Sequence, residues 1–215
     1  MPDDKHLKQA VLDALNWEPS INAAHIGVTA EDGVVTLMGH VGSYGEKHAA
    51  EMATLRVKDV KAVAEEIEVK LPMDVLHDDQ DIAVAALNRL AWNVSIPRDA
   101  VKVTVDQGWI ALTGRVDWHY QQEAAHDAVR LLWGVTGVSD MITIKPRANA
   151  GNIQASIETA LHRLWFPAEH IGVTAADGNV TLTGTVAFWD QRALAATTAW
   201  AAPGVTMVTN DIRIE

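Results

Sequence analysis

The sequence predicts an α+β protein made of three tandem modules, each α-β-β-α-β, with two helices packed on one face of a three-stranded sheet. Three observations carry this. The chain repeats itself: shifted by 75 residues and then by 70, the second part of each unit overlies the next without a gap. Within each unit, apolar residues recur first at helical spacing and later at every second position. Between them stands a short turn signal, Asp32-Gly33, Gln107-Gly108 or Asp177-Gly178, flanked by β-formers.

The elements follow in order. The first helix places apolar residues four apart: Leu7, Val11 and Leu15, then Ile82, Ala86 and Leu90, then Ile153, Ile157 and Leu161. Asp3 or Asp4, Asp78 and Asn152 stand upstream as N-caps. Pro19, Pro97 and Pro167 turn the chain into an extended run. A hairpin follows, Val28-Thr29 against Thr36-Leu37 in the first copy. Gly39, Gly114 and Gly184 lie inside its second strand, where glycine weakens a strand unless a close neighbour needs it. The Ala-rich second helix is the expected neighbour, with Ala50, Ala53 and Val57, Ala125, Ala128 and Leu132, or Ala195, Ala199 and Ala202 on one face. Gly134 and Gly204 end that helix as left-handed residues, while the first copy has Asp59 there. A period-2 strand closes the unit, as in Ile212-x-Ile214. The modules span 1–72, 73–146 and 147–215, with linkers near Leu71–Gln80 and Lys145–Asn152. Modules this small have marginal cores, so they are expected to pack on one another.

Composition narrows the function. The chain has no cysteine, which excludes disulfides, Cys-ligated metal and thiol catalysis. Net charge is -11, spread as −5, −4 and −2 over the three modules, the wrong sign for nucleic acid. No apolar run spans a membrane, and neither a signal-peptide core nor a lipidation cysteine is present, so a cytoplasmic location is expected.

The string Asp-Gly-x-Val-x-Leu-x-Gly-x-Val, an Ala-rich helix, then Gly-Val-x-x-Val-x-x-x-Ile-x-Ile, resembles the BON domain, a family named for bacterial osmotically inducible and nodulation proteins. The resemblance covers nearly the whole chain in three copies, and the chain looks most similar to soluble three-domain members. Asp59 in place of glycine, Gln107 in the second turn and a shorter third copy depart from the pattern. The resemblance implies a non-catalytic, stress-associated binding module. Some relatives associate with phospholipid; a cytoplasmic relative that also carries a LysM domain binds potassium.

Each candidate site has a plainer reading beside it. No His-Glu-x-x-His, Gly-x-Ser-x-Gly or P-loop motif occurs, so neither an enzyme nor a cofactor is expected. His25 and His170 are equivalent, but Ala100 replaces them in the second copy, and His119 and His126 lack zinc-site spacing; no metal is expected. His77-Asp78-Asp79-Gln80-Asp81 reads as a helix start rather than a cation site. Trp17, Trp92 and Trp165, at the ends of the first helices, read as core. Tyr44, Trp118, Tyr120, Phe188 and Trp189 gather where the second strand meets the second helix, and Trp109 flanks the second turn, where Val34 and Asn179 stand in the other copies. These six are the candidate contacts for a phospholipid surface or a protein partner, since Trp and Tyr favour membrane interfaces. Gly33, Gly39, Gly108, Gly114, Gly178 and Gly184 are assigned structural roles. Potassium is the alternative ligand, held by carbonyls of the turns at Asp32-Gly33 and Asp177-Gly178.

Overall fold

The computed structural model describes residues 4–72, 77–146, 152–166 and 170–214. Asp3, Pro167 and the boundary residues Met73 and Arg147 lie outside them. Each module has the expected element order. The first runs α1 (Asp4–Trp17), β1 (Ile26–Glu31), β2 (Val34–Val41), α2 (Tyr44–Leu55) and β3 (Ala62–Val69). The second runs α3 (Asp79–Trp92), β4 (Val101–Asp106), β5 (Trp109–Val116), α4 (His119–Arg130) and β6 (Gly137–Ile144). The third runs α5 (Ile153–Leu161), β7 (Ile171–Ala176), β8 (Asn179–Val186), α6 (Trp189–Trp200) and β9 (Met207–Ile214). The middle strand of every sheet is the second in sequence, giving orders β1-β2-β3, β4-β5-β6 and β7-β8-β9.

The first and third sheets are mixed. β1 and β2 are antiparallel with Val28 opposite Leu37, whereas β2 and β3 are parallel with Val35 opposite Val63. β7, β8 and β9 repeat this, with Val173 opposite Leu182 and Val180 beside Val208. The second helix is therefore the crossover of a β-α-β unit, which explains why it follows the hairpin directly. The chain divides into two compact units. One comprises Met1–Trp92, Val103–Leu112 and His126–Ser139; the other comprises Asn93–Lys102, Thr113–Ala125 and Asp140–Glu215.

In the first unit, Leu7, Val11 and Leu15 of α1 meet Val28, Val35, Leu37, Ala50, Ala53 and Ile67 in one core. In the second, Ile157 and Leu161 meet Val173, Val180, Leu182, Ala195, Ala199 and Ile212. Ala50 and Ala53 of α2 and Ala195 and Ala199 of α6 thus face the sheet side of these cores. Asp78 accepts a hydrogen bond from the Asp81 N–H at 2.8 Å and Asn152 from the Ala155 N–H at 3.1 Å, as N-caps do. Asp4 and Asp79 do something else. Asp4 Oδ1 takes the Asp32 N–H, and the two Asp79 oxygens take the N–H groups of Gln107 and Gly108, both at 2.9 Å. A first-helix carboxylate thus ties down the hairpin turn.

Both turn residues have positive φ in every copy, +50° and +87° at Asp32 and Gly33, the signature of a type I′ hairpin. Gln107 takes the same conformation at +50°. Asp59 adopts the left-handed conformation of Gly134 and Gly204. The strand glycines require a correction. At Gly39, Gly114 and Gly184 a Cβ would overlap the carbonyl oxygen of His25, Ala100 and His170, respectively, rather than the Ala-rich helix. The close neighbour is the backbone entering the first strand of the hairpin.

Candidate functional site

The region where the second strand hands over to the second helix is built the same way in all three modules. Glu46 Oε2 accepts the Gly42 N–H at 2.8 Å, while the N-cap Ser43 Oγ accepts the Glu46 N–H at 3.1 Å, a relative of the capping box in which the carboxylate reaches the residue before the cap. At the matching position Gln121 Oε1 accepts the N–H groups of Asp117 and Trp118, and Gln191 Oε1 those of Ala187 and Phe188. Both glutamines are buried, and each fastens the loop that carries the aromatic residues. One residue further on, Lys47, Gln122 and Arg192 donate to the carbonyls of Ile67, Ile142 and Ile212. The helix start is pinned to the last strand.

In the first unit, Tyr44 is half-buried and receives a backbone hydrogen bond from Val138. Burial, then Glu65 and Glu51, push its phenol above the ordinary value. Burial also raises the Glu65 carboxyl, although Lys47 Nζ stands 3.7 Å away. Glu51 moves the other way because His48 hydrogen-bonds its carboxylate. The His48 and His126 rings meet edge-on with centroids 6.4 Å apart.

In the second unit, His119 stacks on Trp200 with ring centroids 3.9 Å apart and planes 7° from parallel. Burial lowers its imidazole pKa, against the opposing pull of Glu123 and Asp140. Trp118, Tyr120 and Glu123 share with Thr197, Trp200 and Ala201 a hollow of about 260 Å³. Phe188 is 52% exposed, while Trp189 is half-buried. Trp109 is 51% exposed but donates its indole N–H to Ser139 Oγ at 2.9 Å and lies over Gly137. Of the six aromatic residues named from the sequence, Tyr44 and Trp109 belong to the first unit, and Trp118, Tyr120, Phe188 and Trp189 to the second.

The first-helix tryptophans are a second correction. They are not core: Trp17 is 89% exposed, Trp92 86% and Trp165 74%. Leu15 and Leu90 are the last residues of the buried stripe, and the tryptophans two positions later point away from it. Trp165 lies past the end of α5 and meets Phe166 edge-on at 5.4 Å. Trp17 borders a hollow of about 460 Å³ walled by Ala14, Ala53 and Arg56. Three of the turn carbonyls that could serve a cation have donors: Gly33 O accepts the Lys61 N–H at 2.8 Å, Asp32 O the Lys61 ammonium at 3.3 Å, and Gly178 O the Thr206 N–H at 2.8 Å. Among the described residues no group of three His, Cys, Asp or Glu side chains could hold a metal ion. No described helix is long and apolar enough to cross a membrane.

A family model for the BON domain matches residues 3–70, 78–146 and 149–215. The chain belongs to the BON domain family. It carries three such domains in tandem. It is similar to Osmotically-inducible protein Y of Escherichia coli (strain K12), with 30% identity over 145 residues, 63% of this chain and 72% of that protein. Among solved structures, the C-terminal domain of CdsD, the structural protein of the type III secretion system of Chlamydia trachomatis, is 16% identical, with 99% of each chain covered and a TM-score of 0.28. A second CdsD structure is 15% identical over 96% of this chain and 91% of that one, also at 0.28. Scores of this size carry no argument about arrangement. Each BON domain here thus presents the same pinned helix start, and the residues mounted on it differ from copy to copy.

Proposed function

We propose that this three-BON-domain chain is a non-enzymatic, osmotic-stress-associated binding protein that docks on phospholipid surfaces through Trp17, Trp92 and Trp165. The stress association rests on the similarity to Osmotically-inducible protein Y. The carrying observation for the surface is the exposure of a large indole in each module at or just past the end of the first helix. An indole has an apolar body and one N–H donor, which suits the boundary between headgroups and acyl chains. The six aromatic residues named from the sequence suit it less. Tyr44 is hydrogen-bonded to Val138, and Trp118 and Tyr120 wall a hollow with Trp200.

Electrostatics shapes the expectation. With a net charge of -11 the chain is repelled by an anionic bilayer, so binding comes from insertion of rings. Flotation with neutral phosphatidylcholine vesicles tests this on the full chain, with and without added phosphatidylglycerol. The chain is expected to float with neutral vesicles and to be insensitive to moderate salt. The variant with Trp17, Trp92 and Trp165 all changed to Ala is expected to stay at the bottom. Wild-type protein that stays at the bottom of every gradient overturns the proposal, as does a triple variant that floats like wild type. The cytoplasmic location expected from the sequence belongs to the same reading and is tested by cell fractionation.

A further inference from the structure

The second helices α2, α4 and α6 are one element three times, each twelve residues long, so positions correspond at steps of 75 and 70. In the first unit the start of α2 meets the end of α4. Tyr44 stands beside Arg130, the His48 and His126 rings meet, and a Cβ at Gly45 would touch Leu131 Cδ2 at 2.8 Å. In the second unit the start of α4 meets the end of α6. His119 stacks on Trp200, and Tyr120 faces the same hollow as Ala201. By position these are one contact used twice: Tyr44 corresponds to His119 and Arg130 to Trp200, Gly45 to Tyr120 and Leu131 to Ala201.

The contact joins a helix start to a helix end. It is heterologous, and a heterologous contact does not use itself up. Modules 1 and 2 contribute their starts, and modules 2 and 3 their ends. The end of α2 and the start of α6 are left over. We propose that these two surfaces fit each other, so that a second copy of this chain docks the end of its α2 on the start of α6.

Position decides which side chains would meet, and their chemistry is complementary. Trp189 takes the place of Tyr44 and His119, opposite Leu55, which takes that of Arg130 and Trp200. Asp190 takes the place of Gly45 and Tyr120, opposite Arg56, which takes that of Leu131 and Ala201. Apolar faces apolar, and a carboxylate faces a guanidinium, a pairing with fixed two-point geometry. Asp190 and Arg56 are both exposed, and neither side chain has an ion pair among the described residues. Phe188, 52% exposed, stands next to Trp189 at the same helix start. The hollow of about 460 Å³ beside Arg56 and Val57 lies at the unused end of α2. Trp17 lines the same hollow, so the docking surface borders one of the proposed lipid-facing indoles without having to cover it. Trp92, the counterpart of Trp17, stays 86% exposed although the end of α4 in the same unit is engaged.

Sedimentation velocity on the full chain over a range of concentrations tests the proposal. Wild type is expected to exceed the 23.3 kDa monomer mass increasingly with concentration. Asp190→Arg and Arg56→Asp, each placing like charges opposite one another, are expected to sediment as monomers with unchanged far-UV circular dichroism. In an equimolar mixture of the two variants, every contact between unlike copies again sets a guanidinium against a carboxylate. The mixture is therefore expected to regain the concentration-dependent mass of wild type. Wild type that is monomeric at every concentration overturns the proposal. So does association that survives both substitutions, or a mixture that stays monomeric.

Discussion

Gly39→Ala is the sharpest test of the hairpin geometry. Gly39 has φ +120°, a region that L-residues seldom enter. A Cβ there would lie far inside the 3.0 Å that real Cβ contacts keep, against the carbonyl oxygen of His25. Backbone strain of this kind costs about 1–3 kcal/mol, and forcing atoms into a filled space costs about 1–3 kcal/mol more. The two together come to roughly 2–6 kcal/mol. A module of this size holds only about 4–10 kcal/mol at ~0.05–0.15 kcal/mol per residue. The substitution should therefore remove much of module 1's stability. Urea unfolding followed at the amides of Val35 and Leu37 reads this. With a slope near ~1 kcal/mol per molar for a small domain, the midpoint should fall by about 2 M or more. Gly27→Ala is the control. Gly27 lies outside the left-handed region, and its added Cβ would meet only the flexible Met38 side chain, at 3.0 Å. Equal midpoint shifts for the two variants would refute the reasoning.

Three further outcomes follow from the same geometry. Gln191→Ala strips the Ala187 and Phe188 N–H groups of their acceptor and should cost about 1–2 kcal/mol in thermal unfolding, whereas Gln191→Glu should be tolerated because Glu46 fills that role in module 1. Asp79→Ala frees two turn N–H groups at once and should cost roughly 1–2 kcal/mol, seen as faster amide exchange at Gln107 and Gly108. His119 is held neutral by burial, so its folded pKa lies below the unfolded value near 6.5. The unfolded chain then binds the proton first as pH falls, and stability is full above 6.5 and declines as pH drops from there toward the folded value. His119→Phe should flatten that decline, and an imidazole titrating above 6.5 by NMR would show that Glu123 and Asp140 outweigh burial.

Much of the fold was legible because its constraints are local. A two-residue turn with both φ values positive has few solutions, and Asp-Gly is one of them; Gln107 shows that the following glycine and the flanking strands hold the conformation without aspartate. The buried stripe of α1 was legible from spacing alone. The same spacing also placed Trp17 off that stripe, two residues beyond Leu15, and the hydrophobicity of the ring had masked this signal. The partner of Gly39 was not legible, because it depends on strand register bringing the His25 carbonyl across the hairpin. The Ser43-x-x-Glu46 box was readable, but its glutamine versions at Gln121 and Gln191 lack the serine that announces it. Contacts between modules leave no period. The same position carries Tyr44 beside Arg130 in one unit and His119 on Trp200 in the other.

Whether the first-helix indoles enter a bilayer is measured most directly by quenching of tryptophan fluorescence with vesicles of brominated phosphatidylcholine. The chain has eight tryptophans, so the informative comparison is between wild type and the variant with Trp17, Trp92 and Trp165 changed to Phe. Strong quenching of wild type, largely lost in that variant, is the predicted result. Wild-type emission untouched by brominated vesicles, or quenching that persists undiminished in the variant, would contradict the account.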